Sequence, residues 1–171
     1  MAGRSEMTVM REERDGELLW FNNSLITFKA TSAETDGAFV LFEMLSRRGK
    51  ATPLHRHPGE DESFYVFDGE LLAHVDGREV SAGPGAFLSI PRGTPHAFVV
   101  ASETVRFLTL LTPGPAEAEQ FFRDAGEPAA AAELPPDGPL DIPRIQASAE
   151  RNGSVELLGP PPFAVAQSVP A

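Results

Sequence analysis

No cysteine occurs among the 171 residues, so disulfides and thiolate-based zinc sites are excluded. Basic residues are scarce: 14 Lys and Arg stand against 25 Asp and Glu, for a formal net charge of −11. The few cations form no run, and binding a nucleic-acid backbone needs them clustered, so no such partner is expected. Long hydrophobic runs are missing as well. No stretch approaches the ~20 apolar residues that cross a bilayer, and the opening MAGRSEMTVMREERDGE has no signal-peptide core. A cytoplasmic protein without a membrane partner is the expectation.

What is present suits an ordinary folded domain. The hydrophobic fraction is 42% and there are 12 Phe, enough to build one core in a chain of this length. After a polar lead-in over residues 1–16, residues 17–113 read as short apolar or alternating runs divided by Gly, Pro and Asp. That pattern predicts strands near 17–21, 25–31, 38–46, 63–67, 71–75, 86–90, 96–101 and 105–111. Asp68-Gly69 and Asp76-Gly77 are both read as two-residue hairpin turns. An all-β sandwich or barrel follows, since helices do not alternate with these strands.

From Pro113 the character changes, and residues 114–171 read as a helical and proline-rich extension. Ala118, Phe121, Phe122 and Ala125 fall at helical spacing, with Pro115 suited to the first turn and Gly126 to the stop. The Phe121/Phe122 face is expected to pack on the outside of the barrel. An Ala- and Pro-rich linker over 128–139 leads to a second helix over 144–152, with Asp141 as its cap and Gly153 as its end. The final GPPPFAVAQSVPA is expected to form no regular element.

Three of the 4 histidines stand in one recurrent arrangement. His55 and His57 are two apart, Glu62 follows, and His96 comes 34 residues after Glu62. Side chains alternate along a strand, so His55 and His57 face one way while Arg56 faces the other. Glu62 shares its face with Phe64 and Val66, and His96 with Phe98 and Val100. Three imidazoles and one carboxylate suit one divalent transition metal: Fe, Ni, Co, Mn, Cu or Zn. Glu60 and Asp61 read as a solvated acidic loop, either of which could also orient His57. His74 has the opposite parity and is expected on the outer face, not as a ligand. Tyr65 and Phe67 are expected to meet a helix or a second subunit.

These stretches resemble the paired motifs of the cupin superfamily. The first, Gly-x5-His-x-His-x4-Glu-x6-Gly, is matched by Gly49, His55, His57, Glu62 and Gly69. The second, Gly-x5-Pro-x-Gly-x2-His-x3-Asn, is matched by Gly85, Pro91, Gly93 and His96, with Val100 standing where Asn is usual. The resemblance implies a double-stranded β-helix, a jelly-roll barrel holding a metal bound by His55, His57, Glu62 and His96. The run from His55 to Glu70 further resembles bacterial single-domain quercetinase-type dioxygenases. That likeness implies an oxidoreductase using dioxygen on a small aromatic or enolic substrate, with Glu62 also acting as the catalytic base. Phe64, Phe98 and Phe42 are the expected substrate contacts. A non-redox cupin enzyme (a polyketide cyclase or an isomerase) and a non-catalytic small-molecule binder are the alternatives. A homodimer is expected, with residues 17–31 as candidates for strand exchange between copies.

Overall fold

A computed structural model describes residues 8–163. The chain forms β1 (Leu18–Phe21), β2 (Ser24–Ala30), α1 (Ser32–Thr35), β3 (Val40–Arg47), β4 (Leu54–Arg56), β5 (Asp61–Asp68), β6 (Leu71–Val75), β7 (Arg78–Ala82), β8 (Phe87–Ile90), β9 (His96–Val100) and β10 (Thr104–Thr112). It continues through α2 (Ala116–Ala125), β11 (Glu127–Pro128), α3 (Ile142–Asn152) and β12 (Glu156–Gly159). Two antiparallel sheets result, a seven-stranded one in the order β11-β1-β2-β3-β10-β5-β8 and a five-stranded one in the order β12-β4-β9-β6-β7. This is the expected all-β architecture with a short helical C-terminal extension. No helix among the described residues is long and apolar enough to cross a membrane.

Alternation builds the interior. Val40, Phe42, Met44 and Ser46 of β3 are buried while their neighbours are half-buried, and Val105, Phe107, Thr109 and Leu111 of β10 repeat the pattern. Residues on one face of a sheet recur every second position, so these two strands present one apolar face inward. Phe64 and Phe107 from the larger sheet meet Phe98 from the smaller one, edge to face at 5.7 and 5.5 Å between centroids. Such aromatic pairs tie the sheets together.

The two Asp-Gly pairs do different work. Asp76 and Gly77 have φ of 48° and 78° and join β6 to β7 with Val75 opposite Arg78, the hairpin that was expected. Asp68-Gly69 makes no hairpin, because β5 and β6 lie in different sheets. Gly69 instead has φ 79° at the crossing. A Cβ there would strike the Thr104 carbonyl oxygen and come within 2.7 Å of Val105 Cα.

The C-terminal extension is woven into the sheets. Pro115 and Gly126 bracket α2. Asp141 caps α3 by accepting a hydrogen bond from the Arg144 N–H at 3.0 Å, and Gly153 ends the helix at φ 70°. The Ser148 hydroxyl on α3 donates to the Phe121 carbonyl of α2 at 2.8 Å. β11 covers the edge of β1, and β12 covers the edge of β4. The early strands expected to exchange with a second copy are thus paired within this chain, β1 between β11 and β2, and β2 between β1 and β3. Phe163, in the segment expected to be irregular, is buried and packs with Ala51, Ala97 and Val99. The rest of that segment, from 164 on, lies outside the described residues.

Candidate metal centre

His55 lies in β4, His57 directly after it, Glu62 near the start of β5 and His96 at the start of β9. β4 runs beside β9 with His55 opposite His96, which brings their rings to 4.3 Å between centroids. The Gly93 N–H donates to the His57 carbonyl at 2.8 Å, holding the turn before β9 against the chain after β4. One potential ligand atom from each of His55, His57, Glu62 and His96 lies within 4.8 Å of all the others. His57, Glu62 and His96 are buried, and His55 is half-buried.

Each imidazole is oriented by a backbone carbonyl. His55 Nδ1 meets the Pro53 carbonyl at 2.8 Å, His57 Nδ1 the Ser154 carbonyl at 3.0 Å, and His96 Nδ1 the Thr94 carbonyl at 2.8 Å. A carbonyl can only accept, so each Nδ1 carries the proton and each neutral ring offers its Nε2 lone pair. Glu62 Oε2 stands 2.7 Å from His96 Nε2 and 3.5 Å from His57 Nε2. Nitrogen lone pairs and a carboxylate oxygen at such range repel unless a proton or a cation lies among them. His57 Nε2 is buried with no hydrogen-bond partner among the described residues. Donor set and orphaned nitrogen together fit a divalent cation, with the carbonyls fixing each ring from behind.

Electrostatics point the same way. Burial lowers His55 to about 3, helped by His96 and His57, so its ring is neutral. Burial acts to raise Glu62, but His57 and His96 outweigh it and hold the carboxyl well below its ordinary value. For His57, burial acts downward and the Glu62 charge prevails, leaving it raised. In the cation-free cluster, then, His57 and Glu62 favour a proton between them, which a metal would displace.

Glu60 departs from its expected place in a solvated loop. It is buried, its Oε2 has no hydrogen-bond partner, and it stands 3.9 Å from His57 Nδ1. Burial raises its pKa, against the pull of His57. Asp61 does face solvent and pairs with Arg92 at 3.1 Å. His74 is on the outer face as expected, with Phe163 edge-on at 6.4 Å.

A cavity of about 50 Å³ adjoins the cluster, with His55, His57 and Glu62 in its wall. Phe42, Phe64 and Phe98 line it, and so do Phe121 and Phe122 of α2, Ile145 of α3 and Val155 and Leu157 beyond it. The expectation that Phe121 and Phe122 pack outside the barrel therefore fails. Phe122 lies 4.8 Å from Phe42 and 5.3 Å from Phe21, ring to ring, so the helix face buries its rings against the apolar residues of β1, β2 and β3.

Lys50 was not singled out from the sequence, where it occupies an unspecified position between Gly49 and His55. Its side chain lines the same cavity. Nζ is buried without a hydrogen-bond partner and sits 4.4 Å above the Phe98 ring. Burial lowers its pKa to about 7, with Glu62 acting in the opposite direction. A cation–π contact offers about 0.5–2 kcal/mol, and removing an ammonium from water costs several. Lys50 therefore weakens the fold it sits in.

Comparison with known proteins gives a consistent result. A family profile described as Cupin domain matches residues 42–111. Quercetin 2,3-dioxygenase of Bacillus subtilis (strain 168) is 31% identical over 117 residues, 68% of this chain and 34% of that protein. The chain thus spans about a third of the length of this curated relative. Among solved structures, KdgF from Halomonas sp. superposes with a TM-score of 0.55 at 18% identity, covering 65% of this chain and 96% of that one. A protein described as a predicted oxalate decarboxylase, from Thermotoga maritima, gives 0.54 at 20% identity, covering 63% and 99%. Those two likenesses bear on the fold, which is the one built above from β1 to β12. With His55, His57 and Glu62 in the wall of one cavity of that fold and His96 grouped with them, the chain belongs to the cupin superfamily.

Proposed function

We propose that this protein is a metal-dependent cupin dioxygenase acting on a small aromatic or enolic molecule. His55, His57 and His96 would hold one divalent transition metal through Nε2, and Glu62 through its carboxylate. The observation that carries the metal assignment is the convergence of these donors around the orphaned His57 Nε2, with every Nδ1 already committed to a carbonyl. A bound ion of this kind supplies Lewis acidity and, for the redox-active metals, a partner for dioxygen.

The chain's own groups account for the rest. Glu62 is ionised, the form a base needs to take a substrate hydroxyl proton, although its depressed pKa limits its proton affinity. Phe42, Phe64 and Phe98 form apolar cavity walls that exclude water and suit a planar ring. The dioxygenase assignment draws on the Bacillus relative's activity, and the cavity qualifies it. About 50 Å³ is room for a few waters, well short of a flavonol, so the substrate is smaller unless α2 and α3 move outward. For the oligomer, the outer face carrying Tyr65, Phe67 and Phe87, all exposed, is the face proposed to pair with a second copy.

Elemental mass spectrometry of untagged protein purified without chelator tests the first step. About one equivalent of iron, nickel, cobalt, manganese or copper, followed by oxygen uptake with small catechols or enols, is the expected result. Zinc without oxygen uptake would instead favour a non-redox cyclase or isomerase. No metal after reconstitution would leave a binding protein.

A further inference from the structure

Within the cavity wall, the cluster and Lys50 differ in one respect. Every ring nitrogen facing away from the cluster has a carbonyl, and Glu62 is shared by His57 and His96. The Lys50 ammonium has no acceptor among the described residues, although it is 94% buried by the 6% exposure of its residue. Its backbone cannot swing it free, since the Lys50 carbonyl accepts from the Val100 N–H at 3.0 Å and the Gly49 N–H donates to the Val100 carbonyl at 3.0 Å. Nζ is thus held over the Phe98 ring, facing the space a ligand would enter.

We propose that Lys50 is the anion anchor of this cavity, and that the ligand is a small organic acid or enol bearing two oxygen functions. One oxygen would face the His55/His57/Glu62/His96 cluster and the other, anionic, would accept a hydrogen bond from Lys50 Nζ. The oxygen that faces the cluster rests on the metal reading; the Lys50 part does not.

Three features support it. No acceptor among the described residues reaches Nζ, although Asn22, Thr52 and Glu62 stand in the same wall beside its phenylalanine and aliphatic side chains. The lowering of Lys50 to about 7 by burial leaves it able to carry a proton near neutrality once an anion arrives. The cavity volume of about 50 Å³ favours ligands of few heavy atoms. Hydrogen bonds to a charged group are stronger than neutral ones, so the anchor would discriminate an anion from a neutral molecule of the same shape.

Malonate and malonamide form such a pair of probes. Their binding would be measured by isothermal titration to wild type and Lys50→Met, each metal-loaded and metal-free. The expected result is malonate binding weakened about 10–100-fold by the substitution, malonamide binding unchanged, metal content unchanged, and a melting temperature that does not fall. Equal malonate affinity in the two proteins, or equal loss of malonamide binding, would overturn the assignment, as would wild type that binds no malonate at millimolar concentration. If Lys50→Met fails to fold, the Lys50 ¹⁵Nζ resonance of wild type decides: it shifts with malonate and not with malonamide, or the assignment is wrong. A protein that takes up no metal but keeps the malonate preference in its metal-free form separates failure of the metal reading from failure of this one.

Discussion

The stretch from β3 to β10 and the stretch from α2 to β12 meet at one cavity, and they contribute to it by different physics. The first supplies the donors: His55, His57, Glu62 and His96, together with the buried Lys50. The second supplies cover and support. Phe121, Phe122 and Ile145 close the apolar side, β12 pairs with the strand bearing His55, and the Ser154 carbonyl orients His57. A ligand atom has to be a particular element at a particular place. A cover has only to be apolar and the right size, and a supporting carbonyl can belong to any residue. Chemistry is thus concentrated in one stretch and stability of the site in the other.

The largest effect expected from breaking this division is His96→Ala. Losing one donor of four should reduce metal affinity by well over about 100-fold, since even loss of an outer supporting group costs 10–100-fold. Elemental analysis after dialysis would read it, with circular dichroism showing the sheets intact. Phe122→Ala is the matching cut in the other stretch. It empties a buried ring that packs on Phe21, Phe28 and Phe42 and should cost about 3–5 kcal/mol in urea unfolding. The folded fraction should still bind one equivalent of metal. A variant that stays stable but loses metal would show that the helix takes part in ligation and end the proposed division.

Lys50→Met sharpens the comparison from the opposite direction, because the substitution should stabilise. Replacing a buried, unpaired charge with an apolar chain of similar length is worth about 1–4 kcal/mol. The sign of the pH dependence follows from the lowered value. Lys50 is held near 7 in the folded protein against an ordinary 10.5. Below about pH 7 the folded state bears the full cost of the buried ammonium. Between about 7 and 10.5 the unfolded chain binds the extra proton, so wild-type stability rises with pH. The advantage of Lys50→Met should therefore be greatest at pH 6 and shrink toward pH 10. An advantage that is flat across this range would mean that Lys50 keeps its proton in the fold throughout, as it does in the unfolded chain.

The sequence shows the two stretches unequally. The barrel strands were visible because β3 and β10 turn a regular apolar face inward and β9 is buried throughout and apolar after His96, and the helix ends because Pro115, Gly126, Asp141 and Gly153 have conformational reasons to be there. β7 was overlooked since Arg78–Ser81 are all exposed, leaving no buried parity to read. β11 has two residues and β12 four, too few for a period, and only β1 and β4 make them strands. Asp68-Gly69 misled because a positive φ serves a crossing between sheets as well as a hairpin. At the site, the spacing of His55, His57, Glu62 and His96 was legible because few residue types can serve as metal donors. Lys50, Glu60 and the Ser154 carbonyl were not, as their roles come from burial and backbone direction.

The smallest effect tests how far the extension's support reaches. Asp141 accepts from the Arg144 N–H at 3.0 Å, satisfying one of the free amides at the start of α3. Asp141→Ala should cost about 1 kcal/mol, a drop of about 2–4 °C in melting temperature for a chain of this size. Ile145, which lines the cavity, stands in the turn that this cap secures, while Ser154 lies past the far end of the helix at Gly153. Fraying the first turn should loosen the cavity cover and leave the carbonyl behind His57 in place. Metal affinity is therefore expected to match wild type, and malonate to bind slightly less tightly. If metal affinity fell along with the melting temperature, α3 would be transmitting its order along its whole length to His57, and the extension would count as part of the metal centre rather than its cover.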